Sequence, residues 1–354
     1  MTKKINVGIL FGGKSAEHEV SLRSAKNIVE ALDKSRFNPV LIGIDPSGRW
    51  LKGGDSMNLL DTKNSSEVAL LPEHHGEIIN FNNDKQNEKI DVVFPILHGP
   101  FGEDGTVQGL LKLAGVPFVG AGVLGSAVGM DKDVMKRLLR DAGLPIGDFI
   151  VFTKENAPTF DTIASKLGLP FFIKPANLGS SVGVHKIKNL ATFESALQDA
   201  FQYDLKVVAE EYIEGREIEC SVLGNENPIA SVPGEIVVNS EFYSYEAKYL
   251  DETGARLEIP AKLSENEIAE FKNLATKTFQ VLCCEGLGRV DFFLRKDGKI
   301  FVNEINTIPG FTSISMYPKL WEESGIKYSD LVTRLIELAI MRFEKEKILK
   351  TSRY

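Results

Sequence analysis

The length, composition and charge of the chain exclude several classes of protein. It has 354 residues, enough for two or three domains, and its apolar fraction of 43% is typical of globular proteins. The net charge of −8 argues against a nucleic-acid-binding scaffold, which would carry a basic surface. Three cysteines are too few for a disulfide framework, and no long apolar run predicts a membrane span. We therefore expect a cytoplasmic protein that binds neither nucleic acid nor membrane.

The first 125 residues alternate between strand and helix patterns. Three apolar runs predict strands, and two stretches with apolar residues at helical spacing predict helices. These strands cover 4–11, 37–45 and 89–99, and the helices cover 19–33 and 105–115, with a further short strand predicted after Gly115. This alternation predicts an open α/β domain up to about residue 125. Residues 52–90 are polar and irregular, and we interpret them as a surface excursion.

The remainder of the chain is rich in predicted strands. Residues 131–145 predict a helix, and two apolar strands flank a loop of small residues within 169–187. Strand patterns then continue to Asn306, interrupted by a helix at about 264–282. A last helix at 328–347 closes the chain.

The stretch GILFGGKS at residues 8–15 fits the P-loop pattern for binding nucleotide phosphates. A P-loop begins where its strand ends, whereas Ile9, Leu10 and Phe11 continue the predicted strand. The next apolar strand ends in Pro and His rather than in the Asp that would bind magnesium. We favour a strand–turn–helix whose turn faces a cleft, with the P-loop as the alternative.

The stretch GRVDFFLRKDGKIFVNEIN predicts a hairpin that carries opposed carboxylates. Asp297-Gly298 indicates a two-residue turn. The predicted pairs are Lys296 with Lys299, Phe293 with Val302, Asp291 with Glu304, and Arg289 with Asn306. Facing carboxylates destabilise a strand pair unless they are compensated, and magnesium with oxygen ligands would compensate them. An ion pair with Arg289 or a solvated polar face are the alternatives.

Two further stretches suggest a site for phosphates. Lys174 ends an apolar strand, and the backbone N–H groups of the following small residues, 179–183, can face an anion or close over it as a lid. Lys132, early in a predicted helix, is a second candidate cation. The bend in EEYIEGRE could form a hinge that binds a nucleoside, with Glu217 at the ribose.

Together these stretches resemble the D-alanine–D-alanine ligase family of the ATP-grasp superfamily. The matching motifs are FGGKSAEHEVS, HGPFGEDG, MDKDVMK, IKPANLGSSVGV, EEYIEGRE, YEAKYLDET, IPA, GRVDFF and VNEINTIPGFTSISMYP. They follow the family's order over almost the whole chain. The resemblance implies an α/β (α+β) fold with three subdomains, at 1–125, 126–214 and 215–354, and ATP held between the second and third.

The resemblance also implies a reaction. The carboxylate of one D-alanine attacks the γ-phosphate of ATP, and the amine of a second D-alanine attacks the resulting acyl phosphate. The cofactors implied are ATP and two Mg²⁺ ions, which Mn²⁺ can replace, and the family suggests a homodimer. Three alternatives remain: a ligase that makes D-alanyl-D-lactate or D-alanyl-D-serine, a ligase that joins another carboxylate and amine, and a nucleotide-binding regulator without catalysis.

Carried over motif by motif, the resemblance implies roles at the substrates. Glu17 would bind the ammonium of the first D-alanine, with Ser180 and Tyr249 hydrogen-bonded to it. Ser315 would bind the carboxylate of the second D-alanine, near His98. Tyr249 in the KY pattern favours the dipeptide over D-alanyl-D-lactate.

The resemblance implies further roles at the nucleotide and metals. The predicted phosphate ligands are Lys132, Lys174, Ser181 and Lys248. The predicted adenosine ligands are Glu210, Tyr212, Ile213 and Glu217. The predicted magnesium ligands are Asp291, Glu304 and Asn306. Arg289 and the backbone of Gly310 would stabilise the developing oxyanion.

Overall fold

The computed structural model describes residues 3–53, 65–81, 88–238 and 255–350. The predicted site residues Lys248 and Tyr249 lie outside these ranges. Within them, no helix is both long and apolar enough to span a membrane.

The first sheet has seven strands. They are β1 Ile5–Gly12, β2 Phe37–Ile44, β3 Trp50–Lys52, β4 Ser66–Leu70, β5 Glu77–Asn80, β6 Glu88–Lys89 and β7 Val92–Ile96. Their order is β6-β5-β4-β3-β2-β1-β7, and β1 runs parallel to both neighbours, β2 and β7. The predicted open α/β domain is therefore present, with helices α1 His18–Ala31 and α2 Thr106–Leu113 after β1 and β7. Residues Ile9, Leu10 and Phe11 are buried within β1, as predicted.

The interpretation of residues 52–90 as an irregular excursion is wrong for their described part. Strands β4, β5 and β6 extend the sheet in antiparallel fashion, and Val68, Leu70 and Ile78 are buried in its core. These strands have two to five residues, too few for the alternation of apolar and polar residues to stand out in a polar stretch.

The second sheet has four antiparallel strands. They are β8 Phe149–Thr153, β9 Phe171–Pro175, β10 His185–Ile187 and β11 Lys206–Glu211, in the order β10-β9-β11-β8. Helices α3 Val123–Met130 and α4 Lys132–Asp141 precede it, while α5 Phe160–Leu167 and α6 Leu190–Tyr203 cover one face. Because side chains alternate along a strand, Lys174 and Glu210 lie on the opposite face from Ile173 and Ala209 of the core.

The third sheet has six strands. They are β12 Gly215–Gly224, β13 Ile229–Ala230, β14 Gly234–Val238, β15 Ala255–Glu258, β16 Gly286–Arg295 and β17 Ile300–Asn306. The order is β15-β14-β12-β16-β17, with β13 beside β12. Helix α7 Glu265–Val281 packs Phe271 and Phe279 against this sheet.

The last two helices return to the start of the chain. They are α8 Met316–Glu323 and α9 Tyr328–Lys347. Their buried residues Trp321, Leu335 and Ile336 share a core with Val7 and Ile9 of β1. The two ends of the chain therefore stabilise one hydrophobic core.

Candidate active site

One large cavity collects most of the predicted site residues. Its volume is about 1360 Å³, and all three sheets or their connecting loops contribute to its wall. The predicted residues that line it are Glu17, His98, Ser180, Glu217, Arg289, Asp291, Glu304, Asn306, Gly310 and Ser315.

The hairpin of β16 and β17 brings the carboxylates together as predicted. Asp291 pairs with Glu304, and Arg289 with Asn306. The predicted pairs nearer the turn are wrong, because Phe293 pairs with Phe301. Two irregularities each shift the strand register by one residue, and their effects cancel before the carboxylates are reached.

The first irregularity is a turn of three residues, 296–298, so that Lys296 and Lys299 do not pair. The N–H of Arg295 donates to the carbonyl of Lys299 at 2.9 Å, and Gly298 has a φ of 81°. The second is a bulge: Phe292 pairs with Val302 and Asp291 with Glu304, which leaves Asn303 as an extra residue. The bulge restores the predicted register where the carboxylates lie.

Basic side chains compensate the opposed carboxylates. Arg289 Nε and Nη2 donate to the two oxygens of Asp291 at 2.7 and 2.8 Å, and Nε lies 2.9 Å from Glu219 Oε2. Asn306 Nδ2 donates to Asp291 at 2.9 Å, and Lys132 Nζ lies 3.7 Å from Glu304. The ion-pair alternative for Asp291 is thus present in the structure alongside the donor set for a metal.

The predicted magnesium ligands fit a hard cation in their chemistry. Asp291 and Glu304 offer carboxylate oxygens, and Asn306 offers an amide oxygen. Within the described ranges, no group of three or more His, Cys, Asp or Glu side chains is arranged for a metal. Two carboxylates and one amide oxygen match magnesium sites that take one or two carboxylates and complete their shell with phosphates and water.

The predicted phosphate lysines lie in a buried cluster beside this cavity. Lys174 Nζ is 2.6 Å from Glu210 Oε2, and Lys132 Nζ donates to the carbonyl of Leu178 at 2.7 Å. Burial alone would raise the pKa of Glu210, but the charges of Lys136, Lys174 and Lys132 outweigh it and hold the pKa below its usual value. The predictions missed Lys136, although its position four residues after Lys132 places both on one helix face.

The small-residue loop after β9 adopts an uncommon backbone. Ser180 and Ser181 have φ values of 55° and 58°, in the left-handed region that residues other than glycine rarely adopt. Ser180 borders the cavity, whereas Ser181 is not among its lining residues. Such conformations cluster at ligand-binding loops, which supports a phosphate-binding role for this segment.

The predicted adenosine ligands do not all line the same cavity. Glu217 lines the large cavity and Glu210 lies at the lysine cluster. Tyr212 instead borders a second pocket of about 510 Å³, where Lys186 Nζ lies 3.8 Å from its ring centroid. The Ile213 side chain faces Gly147, where an added Cβ would lie 2.9 Å from Ile213 Cδ1.

The substrate end of the cavity contains Glu17, His98 and Ser315. Glu17 is buried at the start of α1. His98 Nδ1 lies 3.0 Å from the carbonyl of Ile308, burial lowers the pKa of its ring, and Nε2 has no hydrogen-bond partner in the described ranges. Ser315 Oγ accepts from the N–H of Thr312 at 3.0 Å.

Gly310 lies beside the hydroxyl group of Ser315. A Cβ added to it would lie 2.8 Å from Ser315 Oγ. Glycine therefore leaves room at this point for the group that its backbone would bind.

The predictions also missed Glu103 and Glu219. The carboxylate of Glu103 accepts from the N–H groups of Gly99 at 2.8 Å and Ile308 at 3.0 Å, which ties the loop after β7 to the loop after β17. Burial of this carboxyl and the nearby charge of Glu17 raise its pKa to about 8. Glu103 stands in the HGPFGEDG motif, and Glu219 shares a strand face with Glu217, so the sequence contained an indication of each.

These features define a class of protein. Two antiparallel sheets border a cavity of nucleotide size, with buried lysines on the second sheet and on helix α4, and paired carboxylates on the third sheet, as in the ATP-dependent ligases of the ATP-grasp class. Profiles described as the N-terminus and the C-terminus of D-ala D-ala ligase match residues 6–121 and 138–337. The chain belongs to the D-alanine–D-alanine ligase family.

Individual relatives agree with this assignment. A D-alanine–D-alanine ligase from Oceanobacillus iheyensis is 54% identical over 362 aligned positions, covering 99% of each chain. The solved D-alanine–D-alanine ligase from Coxiella burnetii superposes with a TM-score of 0.88 at 37% identity, covering 98% of this chain and 97% of the other. A D-Ala:D-Ser ligase from Enterococcus faecalis superposes with a TM-score of 0.87 at 35% identity, covering 95% of this chain and all of the other.

Proposed function

We propose that this chain uses ATP to join two molecules of D-alanine into D-alanyl-D-alanine for peptidoglycan precursor synthesis. The observation that carries the proposal is the pairing of Asp291 with Glu304 in the cavity that also contains Glu17 and Ser315. One cavity thereby contains residues suited to a metal–nucleotide, to the ammonium of one amino acid and to the carboxylate of another.

Binding of the nucleotide rests on charge. Lys132 and Lys174 hold the α- and β-phosphates, Lys248 reaches the γ-phosphate, and the backbone at Ser181 closes over them. Glu210, Tyr212, Ile213 and Glu217 contact the adenosine. Phosphoryl transfer needs positioning and positive charge more than covalent help, so buried lysines are suited to it.

Asp291, Glu304 and Asn306 would hold the magnesium ions. When bound, magnesium neutralises phosphate charge during the transfer. Arg289 donates two hydrogen bonds to Asp291 in this structure and has further N–H groups to offer. Its guanidinium and the backbone N–H of Gly310 would stabilise the negative oxygen that forms when the second amine attacks.

Binding of the two amino acids rests on Glu17 and Ser315. Glu17 takes the ammonium of the first D-alanine, with Ser180 and Tyr249 ordering the loops around it, and Ser315 takes the carboxylate of the second. His98, whose Nε2 has no hydrogen-bond partner among the residues that the structure describes and which lies in the wall of the cavity, contacts the second substrate. Enclosure by the loops at Ser180 and Tyr249 keeps water from the acyl phosphate.

We also propose three subdomains, at 1–125, 126–214 and 215–354, in a cytoplasmic homodimer. The second boundary is supported by the separation of the second and third sheets between β11 and β12. The first boundary falls within α3.

The test is incubation with ATP, magnesium and D-alanine, with mass detection of the product and measurement of released phosphate. We expect the dipeptide and phosphate release that depends on D-alanine. Phosphate release without any dipeptide would contradict the proposal.

A second candidate is a ligase whose second substrate is D-serine or D-lactate. The similar D-Ala:D-Ser ligase structure supports testing it. Competition between D-alanine, D-serine and D-lactate at several pH values separates the candidates. We expect the D-alanine dipeptide to dominate at neutral pH, and dominant depsipeptide there would contradict us.

A further inference from the structure

A buried lysine outside the predicted set contacts the nucleotide-binding lysine cluster. Lys136 of α4 is only 2% exposed, and its Nζ lies 3.4 Å from Glu210 Oε1. Burial lowers the pKa of this amine, against the opposing charge of Glu210. Buried charges persist in proteins only when they are paired, so Lys136 and Glu210 depend on each other.

Glu210 has a different lysine at each oxygen. Lys174 of β9 lies 2.6 Å from Oε2, whereas Lys136 lies beside Oε1 at the longer distance. In the described part of the chain, Oε1 has no hydrogen-bond partner despite being buried. An acceptor in this position suits a donor on a ligand.

A bound nucleotide would affect the two lysines differently. This inference rests on the proposed function, in which Lys174 turns toward the phosphates when ATP binds. Lys136 projects from the buried face of α4 and contacts the Phe149 ring at 5.7 Å. It therefore remains as the counter-ion of Glu210 while Lys174 is engaged, and the charge of Lys132 also lowers the pKa of Glu210.

We propose that Lys136 is a positioning residue that keeps Glu210 as a hydrogen-bond acceptor for the exocyclic amine of adenine, and so makes the enzyme select ATP over GTP. Adenine presents an amine donor at its N6 position, whereas guanine presents the O6 acceptor at the equivalent position. An ionised carboxylate accepts from the first and repels the second. Removal of Lys136 favours the protonated carboxyl, which can donate to guanine instead.

The test compares Lys136→Met, which keeps length without charge, with Lys136→Arg and with Lys166→Met at an exposed site of α5. ADP and GDP binding is measured by titration calorimetry, without turnover. We expect Lys136→Met to weaken the affinity for ADP by about ten- to hundredfold and to change the affinity for GDP by no more than about twofold. ADP affinity of this variant should partly recover at higher pH, as Glu210 ionises again. Lys136→Arg and Lys166→Met should behave like the wild type.

Equal weakening of ADP and GDP in Lys136→Met would indicate a merely structural role and overturn the inference, as would unchanged binding. If Lys136→Met does not fold, the variant Glu210→Gln tests the same inference. We expect that variant to lose discrimination between ADP and GDP by itself. Where both variants fold, adding Lys136→Met to Glu210→Gln should change little, and full additivity would contradict action through Glu210.

The outcomes separate this inference from the proposed function. A wild-type protein that ligates D-alanine but whose nucleotide preference survives Lys136→Met refutes the inference alone. A wild-type protein that prefers ADP through Lys136 but makes no dipeptide refutes the proposed function alone.

Discussion

At the scale of single residues, Asp291 lies between the carboxylates of Glu219 and Glu304 on the two neighbouring strands, and basic side chains compensate these acids. Arg289 and Asn306 hydrogen-bond Asp291, while Lys132 lies 3.7 Å from Glu304. This arrangement can exchange one cation for another, since a metal can take the carboxylates and Arg289 can move to the oxyanion.

We expect Glu304→Ala to lower turnover at least about a thousandfold, because it removes a metal-binding carboxylate. Arg289→Ala should have a similar effect through loss of oxyanion stabilisation. Phosphate release with D-alanine measures both, and Glu323→Ala at an exposed position of α8 is the control. Substantial retained turnover in either site variant would refute the assigned site.

Glu103 gives the stability of the protein a specific pH dependence. Its pKa of about 8 lies well above the ordinary value near 4.5, so between these values the folded state holds a proton that the unfolded state has released. The free energy of unfolding therefore falls as pH rises through this window, by up to about 1.4 kcal/mol per pH unit.

Glu103→Gln cannot titrate and should lack this contribution. Urea unfolding at pH 5, 6.5 and 8.5 measures the difference, with exposed Glu322→Gln as the control. Parallel pH dependence in wild type and Glu103→Gln would contradict the assignment.

At the scale of elements, the start of α4 links folding to nucleotide binding. Asp131 caps this helix by accepting from the N–H groups of Asp133 and Val134, and it also pairs with Lys206 at 2.6 Å. The N–H of the next residue, Lys132, donates to the carbonyl of Ala176 before the phosphate loop. The cap therefore fixes the position of Lys132.

We expect Asp131→Ala to cost about 1 to 2 kcal/mol of stability and to raise the KM for ATP about tenfold. Thr159→Ala is the matched control. The Thr159 side chain caps α5 by accepting a hydrogen bond from the N–H of Thr162, and this cap does not line the cavity. The Thr159→Ala variant should lose comparable stability with an unchanged KM. Equal changes in KM for the two variants would show that the cap has no special link to the site.

The carboxylate hairpin shows what strand patterns can and cannot predict. Counting outward from an assumed two-residue turn placed Asp291 opposite Glu304, as the structure does. The three-residue turn and the bulge at Asn303 were not predictable, because Asp-Gly is also compatible with a longer turn and a bulge leaves no mark in composition. The correct pairing depended on two deviations that cancel.

Helix α3 was not predicted, for a different reason. Its sequence VLGSAVGM contains two glycines, which are unfavourable in helices. Tertiary packing overrides this preference, because a Cβ at Gly125 would lie 2.4 Å from the Cys283 carbonyl and one at Gly129 would lie 2.8 Å from Thr307. Close packing that joins distant segments is invisible in local patterns.

At the scale of the whole molecule, α9 joins segments that are distant in the sequence. Arg342 of this helix is buried and donates to the carbonyls of Gly120 at 2.5 Å and Phe118 at 2.9 Å. It also pairs with Glu285 at 3.1 Å, just before β16. One side chain thus joins three distant segments.

We expect Arg342→Met to lower the free energy of unfolding by about 3 kcal/mol, because it leaves carbonyls and a carboxylate without their donor. Urea unfolding measures the loss, and Arg334→Met at an exposed position of α9 is the control. A loss no greater than that of the control would show that the contacts of Arg342 contribute nothing to the free energy of unfolding.

The sequence predicted the helix at 328–347 correctly but not its position on the first sheet. Helical periodicity indicates an apolar face without identifying what covers it. The motif resemblance predicted roles for Glu17, His98 and Asp291, and all three line one cavity. Lys136 and Glu103 stand in the matched motifs too, but their importance became clear only from their buried contacts with other segments.

The most direct test of the central claim uses D-alanine labelled with ¹⁸O in both carboxylate oxygens, incubated with ATP and magnesium. Attack of the carboxylate on the γ-phosphate transfers one labelled oxygen, so mass spectrometry should find one ¹⁸O in each phosphate released and D-alanyl-D-alanine in equal amount. Unlabelled phosphate would mean that water, rather than the first D-alanine, attacks ATP, and would contradict the account.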